Sequence, residues 1–411
     1  MTLSKPTCSK IRSRAPKFRP DVPARSIYSS QFWLLCTSSL LFFASFNMLI
    51  PELPAYLSSL GGEEYKGFII GLFTITAMAS RPFSGKLADR IGRVPVIMFG
   101  SIVCLVCSLI YPVLTSVWGF LFLRLVHGFS TGFTPTGQTA YLSDIIPAER
   151  RGEAVGYLGT AGTLGMACGP ALGGFVATYF SVDAMFFTSS ALALLSVLIV
   201  VNIRETLETK QRFNTDALKI QRKDLFEPRV MAPSLVMCLT AFSYGAAFTL
   251  IPDMGRSMGI ENKGLLFTYF TVASLVIRLL AGKTSDRVGR VAVLRVSTGL
   301  VILSMIVIAM AETKIQLIIG MVLYGLAQGA TSPTLLAWAT DLSDPAHKGK
   351  GVASLYIFME FGIFLGAMVT GWWAGTEIEN ASYAFLASAV LSLFSFVFLV
   401  KSYKDKLQQA V

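Results

Sequence analysis

The feature that most constrains this sequence is a series of twelve apolar runs, each long enough to cross a lipid bilayer as an α-helix. Six runs precede a long polar segment at 204–229, and six follow it. Of the 411 residues, 53% are hydrophobic and only 14% are charged, a balance that excludes an ordinary soluble domain. The sequence therefore predicts an all-α membrane protein with spans near 31–51, 67–85, 94–113, 116–139, 154–178, 184–203, 230–251, 264–282, 291–311, 315–340, 351–374 and 382–401.

The segments outside these runs divide the chain further. The amino-terminal segment is basic, has one acidic residue, Asp21, and lacks the apolar stretch of a cleaved signal. We interpret it as a cytoplasmic tail; an organelle transit peptide is the alternative that fits the same composition. The predicted organisation is a tail at 1–29, a six-helix bundle at 30–203, a linker at 204–229, a second six-helix bundle at 230–402 and a tail at 403–411.

Basic residues are distributed unevenly between the two predicted membrane faces. The net charge is +11, and most of the 35 lysines and arginines lie in the tails, the linker and the loops of one face. Cytoplasmic loops of membrane proteins are enriched in Lys and Arg in this way. The pattern predicts a multi-pass protein of the cell (inner or plasma) membrane with both termini cytoplasmic. It argues against a nucleic-acid partner, because the cations are not gathered on a folded domain.

A charged turn occurs once in each half of the chain. Arg81–Arg93 reads RPFSGKLADRIGR, and Arg278–Arg290, 197 positions later, reads RLLAGKTSDRVGR. Each copy separates two apolar runs, which indicates an internal duplication. The shared pattern G-x-x-x-D-R-x-G-R resembles the hallmark turn of the major facilitator superfamily of secondary transporters. This resemblance implies two six-helix bundles with pseudo-two-fold symmetry, which rock about a site near the membrane midplane.

The resemblance also implies a mechanical role for the turn. In the family, the Asp of the first turn contacts helix 11 and holds the two halves together in the outward-facing state, so Asp89 is expected to act as this latch. A carboxylate at a helix end can accept hydrogen bonds from Arg93 or from free amides of another helix. A turn that only fixes topology by its positive charge is the alternative. The predicted latch residues are Gly85, Asp89, Arg90, Gly92, Arg93, Gly282, Asp286, Arg287 and Arg290.

The fifth run carries small residues at regular spacing. Gly165, Gly169 and Gly173 recur every four positions and make a flat surface for close helix packing. With Pro170, which can bend the helix, and Gly174 they form G-x-x-x-G-P-x-x-G-G. This pattern resembles the antiporter motif of the superfamily's exporters. The corresponding run of the second half has alanine in place of the proline, so the exporter signal is confined to the first half.

Two ionisable residues lie inside the fourth run. Arg124 resembles the arginine of the family's R-x-x-Q-G pattern, and His127 occupies the glutamine position. An arginine well inside a span is costly unless it meets a carboxylate, carbonyl groups or water, so we expect a role in transport. His127 is either a titrating group or a packed polar residue.

Three carboxylates are candidates for proton coupling. Glu360 lies near the middle of the eleventh run, where desolvation favours its neutral form unless a cationic partner offsets the effect. A carboxylate held permanently ionised in a polar pocket is the alternative. Glu52 and Asp253 each follow a proline at the ends of the first and seventh runs, and they are either solvated rim residues or gate and proton sites.

Other signals are weaker. By family analogy helices 1, 4, 7 and 10 line the substrate site. Cys104 and Cys107 lie in an apolar run without a second pair, so apolar packing is expected rather than a metal site. No phosphate-binding loop or catalytic set occurs in the sequence, which predicts no enzyme, ATP or cofactor. The resemblance to the family's drug:proton antiporters implies a proton gradient as the driving force. The candidate polar contacts to substrate are Asn47, His127, Gln138, Tyr244 and Gln328.

Together these features predict a proton-coupled antiporter that exports small hydrophobic or amphipathic compounds by alternating access. We expect it to work as a monomer in the lipid bilayer. Export of one specific metabolite, such as a sugar, siderophore or lipid intermediate, is the alternative within the same fold. A membrane sensor or scaffold without transport is a different class, and the polar groups inside the spans argue against it.

Overall fold

The computed structural model describes residues 28–147, 150–207, 226–343, 348–374 and 380–408. These residues form twelve long α-helices, and they contain no β-strand. The helices are α1 (Ser30–Leu49), α2 (Lys66–Ile91), α3 (Arg93–Ile110), α4 (Val117–Ile145), α5 (Arg151–Tyr179), α6 (Val182–Val201), α7 (Met231–Ser257), α8 (Gly264–Val288), α9 (Arg290–Ala309), α10 (Lys314–Leu342), α11 (Lys348–Ala374) and α12 (Ala381–Gln408). A two-turn helix, Leu53–Ser59, follows α1. The predicted all-α architecture is confirmed.

The long helices differ in how apolar they are. Of the helices that the structure describes, eight are long and apolar enough to cross a membrane by length and composition alone. The other four, α2, α4, α5 and α8, are 25 to 29 residues long but contain more glycine, hydroxyl and charged residues. At 1.5 Å rise per residue they also exceed the roughly 30 Å hydrocarbon core. These four helices carry the repeated turns, the small-residue motif and the arginine within the fourth span.

The twelve helices form two six-helix halves. In the first half α1 packs on α5 and α6, and α2 packs on α4; in the second half α7 packs on α11 and α12, and α8 packs on α10. The halves meet mainly where α2 contacts α11 and where α8 contacts α5. Each of these contacts is the counterpart of the other under the 197-residue repeat. The predicted pseudo-two-fold arrangement of two bundles is therefore confirmed.

Each half has its own apolar core. Large buried side chains of the first core are Tyr111, Phe120 and Phe186, and those of the second are Phe270, Tyr324 and Phe385. Glycine allows the closest helix contacts around these cores. A Cβ atom at Gly165, Gly169 or Gly173 would overlap the backbone of α1, so the small-residue stripe of α5 lies directly against that helix. Gly362 and Gly366 of α11 meet the backbone of α7 in the same way.

Candidate functional site

Two faces of the molecule differ in how the halves meet. We call the face where α6 ends and α7 begins the linker face, and the opposite one the far face. At the far face two ion pairs cross from one half to the other. Lys66 Nζ lies 2.8 Å from Asp253 Oδ2, and Lys263 Nζ lies 2.5 Å from Glu52 Oε2. The two lysines are 197 positions apart, so the pairs are related by the internal symmetry.

Close helix contacts accompany these ion pairs. A Cβ atom at Gly67 would meet the carbonyl oxygen of Ala367 on α11 at 2.6 Å. The equivalent atom at Gly264 would overlap the carbonyl of Pro170 on α5. Between the halves at this level, the space beside Asn47 has a volume of only about 10 Å³, which is barely room for one water molecule. The structure is therefore closed at its far face.

A third ion pair joins the halves deep inside the spans. Arg81 Nη2 of α2 lies 2.6 Å from Glu360 Oε1 of α11, and the two side chains are 17% and 8% exposed. The guanidinium of Arg81 also lies over the ring of Tyr356, 5.2 Å from its centroid. Arg81 is the cationic partner that the sequence alone could not identify for Glu360. In the sequence, Arg81 is marked only by the repeat, because Arg278 occupies the same position in the second half.

At the symmetry-related position, no ion pair forms between described residues. Arg278 Nη1 of α8 donates to Thr163 Oγ1 of α5 at 3.4 Å. Thr163 precedes Glu360 by 197 positions, so the two contacts occupy corresponding places in the halves. Among the described residues the Arg278 Nε atom is buried without a hydrogen-bond partner. Among the described residues, the charge of Arg81 is therefore neutralised by a carboxylate, whereas the charge of Arg278 is not.

The charged turns at the linker face are similar in the two halves. Arg93 binds Asp89 and Asp144, and Arg290 binds Asp286 and Asp341. The first turn has an additional partner, because the carboxylate of Glu205 accepts hydrogen bonds from the amides of Arg93 and Val94 at 3.0 and 3.2 Å. Gly92 there has φ +127°, a backbone conformation that favours glycine.

The expected latch contact is not made in this conformation. The Asp89 side chain is 72% exposed and pairs with Arg93 rather than with α11. A Cβ at Gly85 would meet only Thr136 of its own half, at 4.0 Å. The resemblance assigns the latch to the outward-facing state, whereas this structure is closed at its far face. Of the remaining latch candidates, Arg90 is half-buried and Arg287 is exposed, while Gly282 lies in 279–283, whose side-chain surroundings are outside the described part.

The arginine of α4 is held within the first half. Arg124 is 2% exposed, and its Nε donates to the carbonyl of Ile69 on α2 at 2.8 Å. Its Nη1 donates to the Tyr111 hydroxyl at 3.3 Å, and that hydroxyl lies 3.2 Å from Nδ1 of His127. No described carboxylate pairs with Arg124. The carbonyl and hydroxyl groups therefore supply the polar surroundings that a buried arginine requires.

The other substrate-site candidates are separated. Asn47 donates to its own helix at Phe43 and borders the narrow space at the far face. Gln138 is 1% exposed, and its Nε2 has no partner among the described residues. Gln328 Nε2 lies 3.4 Å from both the Thr240 carbonyl and a tyrosine hydroxyl of its own helix. Tyr244 belongs to an aromatic cluster near the centre of the second half. Among the described residues, these candidates therefore do not gather at one place.

The exporter-like motif of α5 reaches the second half at its far-face end. Gly174 lies against the side chain of Asn262, whose Nδ2 donates to the Ala171 carbonyl at 3.1 Å. Pro170 lies against Gly264, as described above. The motif therefore has one surface on α1 and another at the joint between the halves.

Comparison with known proteins identifies the family. The family model described as Major Facilitator Superfamily matches residues 35–264 and 234–410. The chain belongs to the major facilitator superfamily. It is 26% identical over 385 residues to the multidrug resistance efflux pump PmrA of Streptococcus pneumoniae, covering 89% of this chain and 94% of that one. It is 30% identical over 312 residues to the multidrug resistance protein MdtG of a Rahnella strain, covering 71% and 74% of the two chains.

Solved structures agree on the fold. The crystal structure of the human organic anion transporter MFSD10 superimposes with a TM-score of 0.69, covering 92% of this chain and 100% of that one, at 19% sequence identity. An identity this low shows the shared fold alone. With the family established, the protein is a multi-pass membrane transporter of small molecules, and its relatives are transporters rather than enzymes.

Proposed function

We propose that this transporter is a proton-coupled antiporter that exports small hydrophobic or amphipathic compounds. It functions as a monomer in the cell (inner or plasma) membrane, with its linker face and both termini in the cytoplasm. The observation that carries the proposal is the ion pair between Arg81 and Glu360, which links the two halves deep inside the spans. The positive-inside distribution of Lys and Arg supports the orientation.

The pair gives a physical route for coupling. When the far face opens, the far-face parts of α2 and α11 separate, and this movement parts Glu360 from its cationic partner. An ionised carboxylate in apolar surroundings is unfavourable, so Glu360 takes a proton from the far side. When the far face closes again, Arg81 returns and displaces this proton toward the linker face. Proton entry is thereby tied to the conformational cycle that carries substrate outward.

Export is supported by two further facts. The small-residue motif of α5 has the form found in exporters of the family, and Pro170 within it forms part of the joint with α8. PmrA and MdtG are named as multidrug efflux and resistance proteins. We therefore assign the chain to export of varied apolar compounds rather than of one polar metabolite.

The proposal is tested by reconstituting the full chain in proteoliposomes that contain a pH-sensitive dye. A panel of apolar and amphipathic compounds should each cause proton movement opposite to their own, and collapse of the pH gradient should stop uphill transport. Transport of one polar metabolite only would favour the alternative. Uphill transport that does not depend on the pH gradient would contradict proton coupling.

A further inference from the structure

The middle of the spans carries more positive than negative charge. Among the described residues, Arg81, Arg124 and Arg278 lie there, and Glu360 is the acid at that depth. Arg81 and Glu360 neutralise each other at 2.6 Å. Arg295 lies nearer the linker-face end of α9 and makes contacts of its own. The interior is thus left with two arginines that have no carboxylate partner.

These two arginines differ in how accessible they are to a bound compound. Arg124 is enclosed by α2, α3 and α4, and its hydrogen bonds go to groups of its own half. Arg278 lies at the joint between the halves, is partly exposed, and reaches a neutral hydroxyl at Thr163 where its counterpart Arg81 reaches a carboxylate. An ion in a low-dielectric interior is costly without a counter-ion. The position that could supply this counter-ion from the protein is occupied by threonine.

The helix of Arg278 also carries part of an aromatic surface. Phe270 lies about two turns before Arg278 on α8, and its ring is 5.6 Å from the ring of Tyr244, which is 5.7 Å from that of Phe248. No hydrogen bond joins the Tyr244 hydroxyl to another described residue. α8 therefore carries a cation and, about two turns away, a ring of this aromatic surface. Small-molecule sites commonly combine a few polar groups with such a lining.

We propose that the transporter selects amphipathic anions. The anionic group binds the guanidinium of Arg278. The apolar part of the compound packs on the rings around Tyr244. Arg124 adds to the positive field of the interior without touching the compound. This inference rests on the proposed export function and adds the charge of the substrate to it.

The charge preference is measured with three probes that share one ring system. Pyrenebutyrate is anionic, pyrenebutanol is neutral and pyrenebutyl-trimethylammonium is cationic. Binding to the purified full chain is followed by probe fluorescence, and export is followed in proteoliposomes. We expect pyrenebutyrate to bind about 10- to 100-fold more tightly than the cation, as expected for one charged hydrogen-bonded contact.

Substitutions test whether Arg278 causes the preference for the anionic probe. Arg278→Gln should weaken pyrenebutyrate binding by about tenfold or more and leave pyrenebutanol binding unchanged, while Arg278→Lys retains most of the anion preference. Thr163→Glu gives α5 of the first half the acid that α11 of the second half has at Glu360, so Arg278 gains a carboxylate partner and the anion preference should disappear. Arg256→Gln removes one exposed charge at the far-face end of α7 and serves as the matched control.

The outcomes separate this inference from the proposed function. Loss of anion binding in Arg278→Gln, with the control unchanged, supports the inference. Equal binding of anion and cation, or equal losses for all three probes in Arg278→Gln, overturns it. Proton-coupled export of the cationic or neutral probe with no anion preference overturns the inference while the export proposal stands. Failure of the chain to bind any of the three probes also overturns it.

Discussion

Lys263 and Glu52 form an ion pair across the two halves in which each side chain is 8% exposed. The lysine precedes α8 and the carboxylate follows α1, so the pair connects the far-face ends of two helices from different halves. Its symmetry mate, Lys66 with Asp253, is slightly more exposed at 11% and 14%. Opening of the far face must break both pairs. Glu52 and Asp253 therefore lie in ion pairs between the halves, and we infer that they act as a gate.

Removing one partner of the more buried pair should favour the open far face. Glu52→Gln leaves Lys263 buried without a counter-ion, which costs about 3 kcal/mol, or roughly 100-fold in population. A cysteine at Asn47, on a background without the native cysteines, should then react faster with an impermeant maleimide added from the far side. The exchanged double variant Glu52→Lys/Lys263→Glu should restore slow labelling. Unchanged labelling in Glu52→Gln would show that the pair does not hold the gate.

The glycine contacts at the far face predict a steric effect independent of charge. Gly264→Ala places a methyl group into the Pro170 carbonyl, so α8 cannot approach α5 and the far face cannot close fully. We expect transport to fall by about tenfold or more and labelling at Asn47 to rise. Gly156→Ala, where nothing lies within 4 Å, is the matched control and should behave like the parent. Normal transport by Gly264→Ala would contradict the closed-state contact.

Much of the fold could be predicted from the sequence, because it depends on local properties. Twelve runs of helix length require a bilayer, and the repeated turn requires two similar halves. Small residues at four-residue spacing correctly indicated a close helix contact on α5. These features need only the period of a helix and the cost of burying polar groups.

The cross-half contacts could not be predicted in the same way. Glu360 was recognised as a buried acid, but its partner Arg81 lies on a helix 279 positions away along the chain, and only the packing of α2 on α11 brings them together. The latch contact of Asp89 was expected, but it belongs to the opposite conformational state. A sequence specifies both states of a transporter, whereas one structure describes one of them.

The latch prediction remains testable. We expect Asp89→Asn to leave the protein folded and inserted but to slow transport by about tenfold or more, and Asp286→Asn to cause a smaller loss. The first turn is the more specialised one, because it is tied to Glu205 and shares its half with Arg124 and the exporter-like motif. Rates in proteoliposomes, with far-face labelling to report the conformational state, provide the measurement. Equal and mild losses would favour a turn that only fixes topology.

Topology gives a separate prediction. A cysteine at Thr215 in the linker should be protected from an impermeant label in intact cells, whereas one at Leu60 on the far face should react, because basic loops stay in the cytoplasm. Permeabilised cells provide the control in which both positions react. Labelling of position 215 from outside, with position 60 protected, would reverse the assigned orientation and with it the direction of transport.

The central claim is that Glu360 exchanges a proton each time it parts from Arg81. Glu360→Gln removes the carboxyl group and leaves a side chain of the same shape. In proteoliposomes with an imposed pH gradient, we expect this variant to lose uphill export entirely, while it still binds substrate and exchanges it passively across the membrane. Uphill export by Glu360→Gln with an unchanged dependence on pH would contradict the account and make Glu52 or Asp253 the better candidate for the coupling acid.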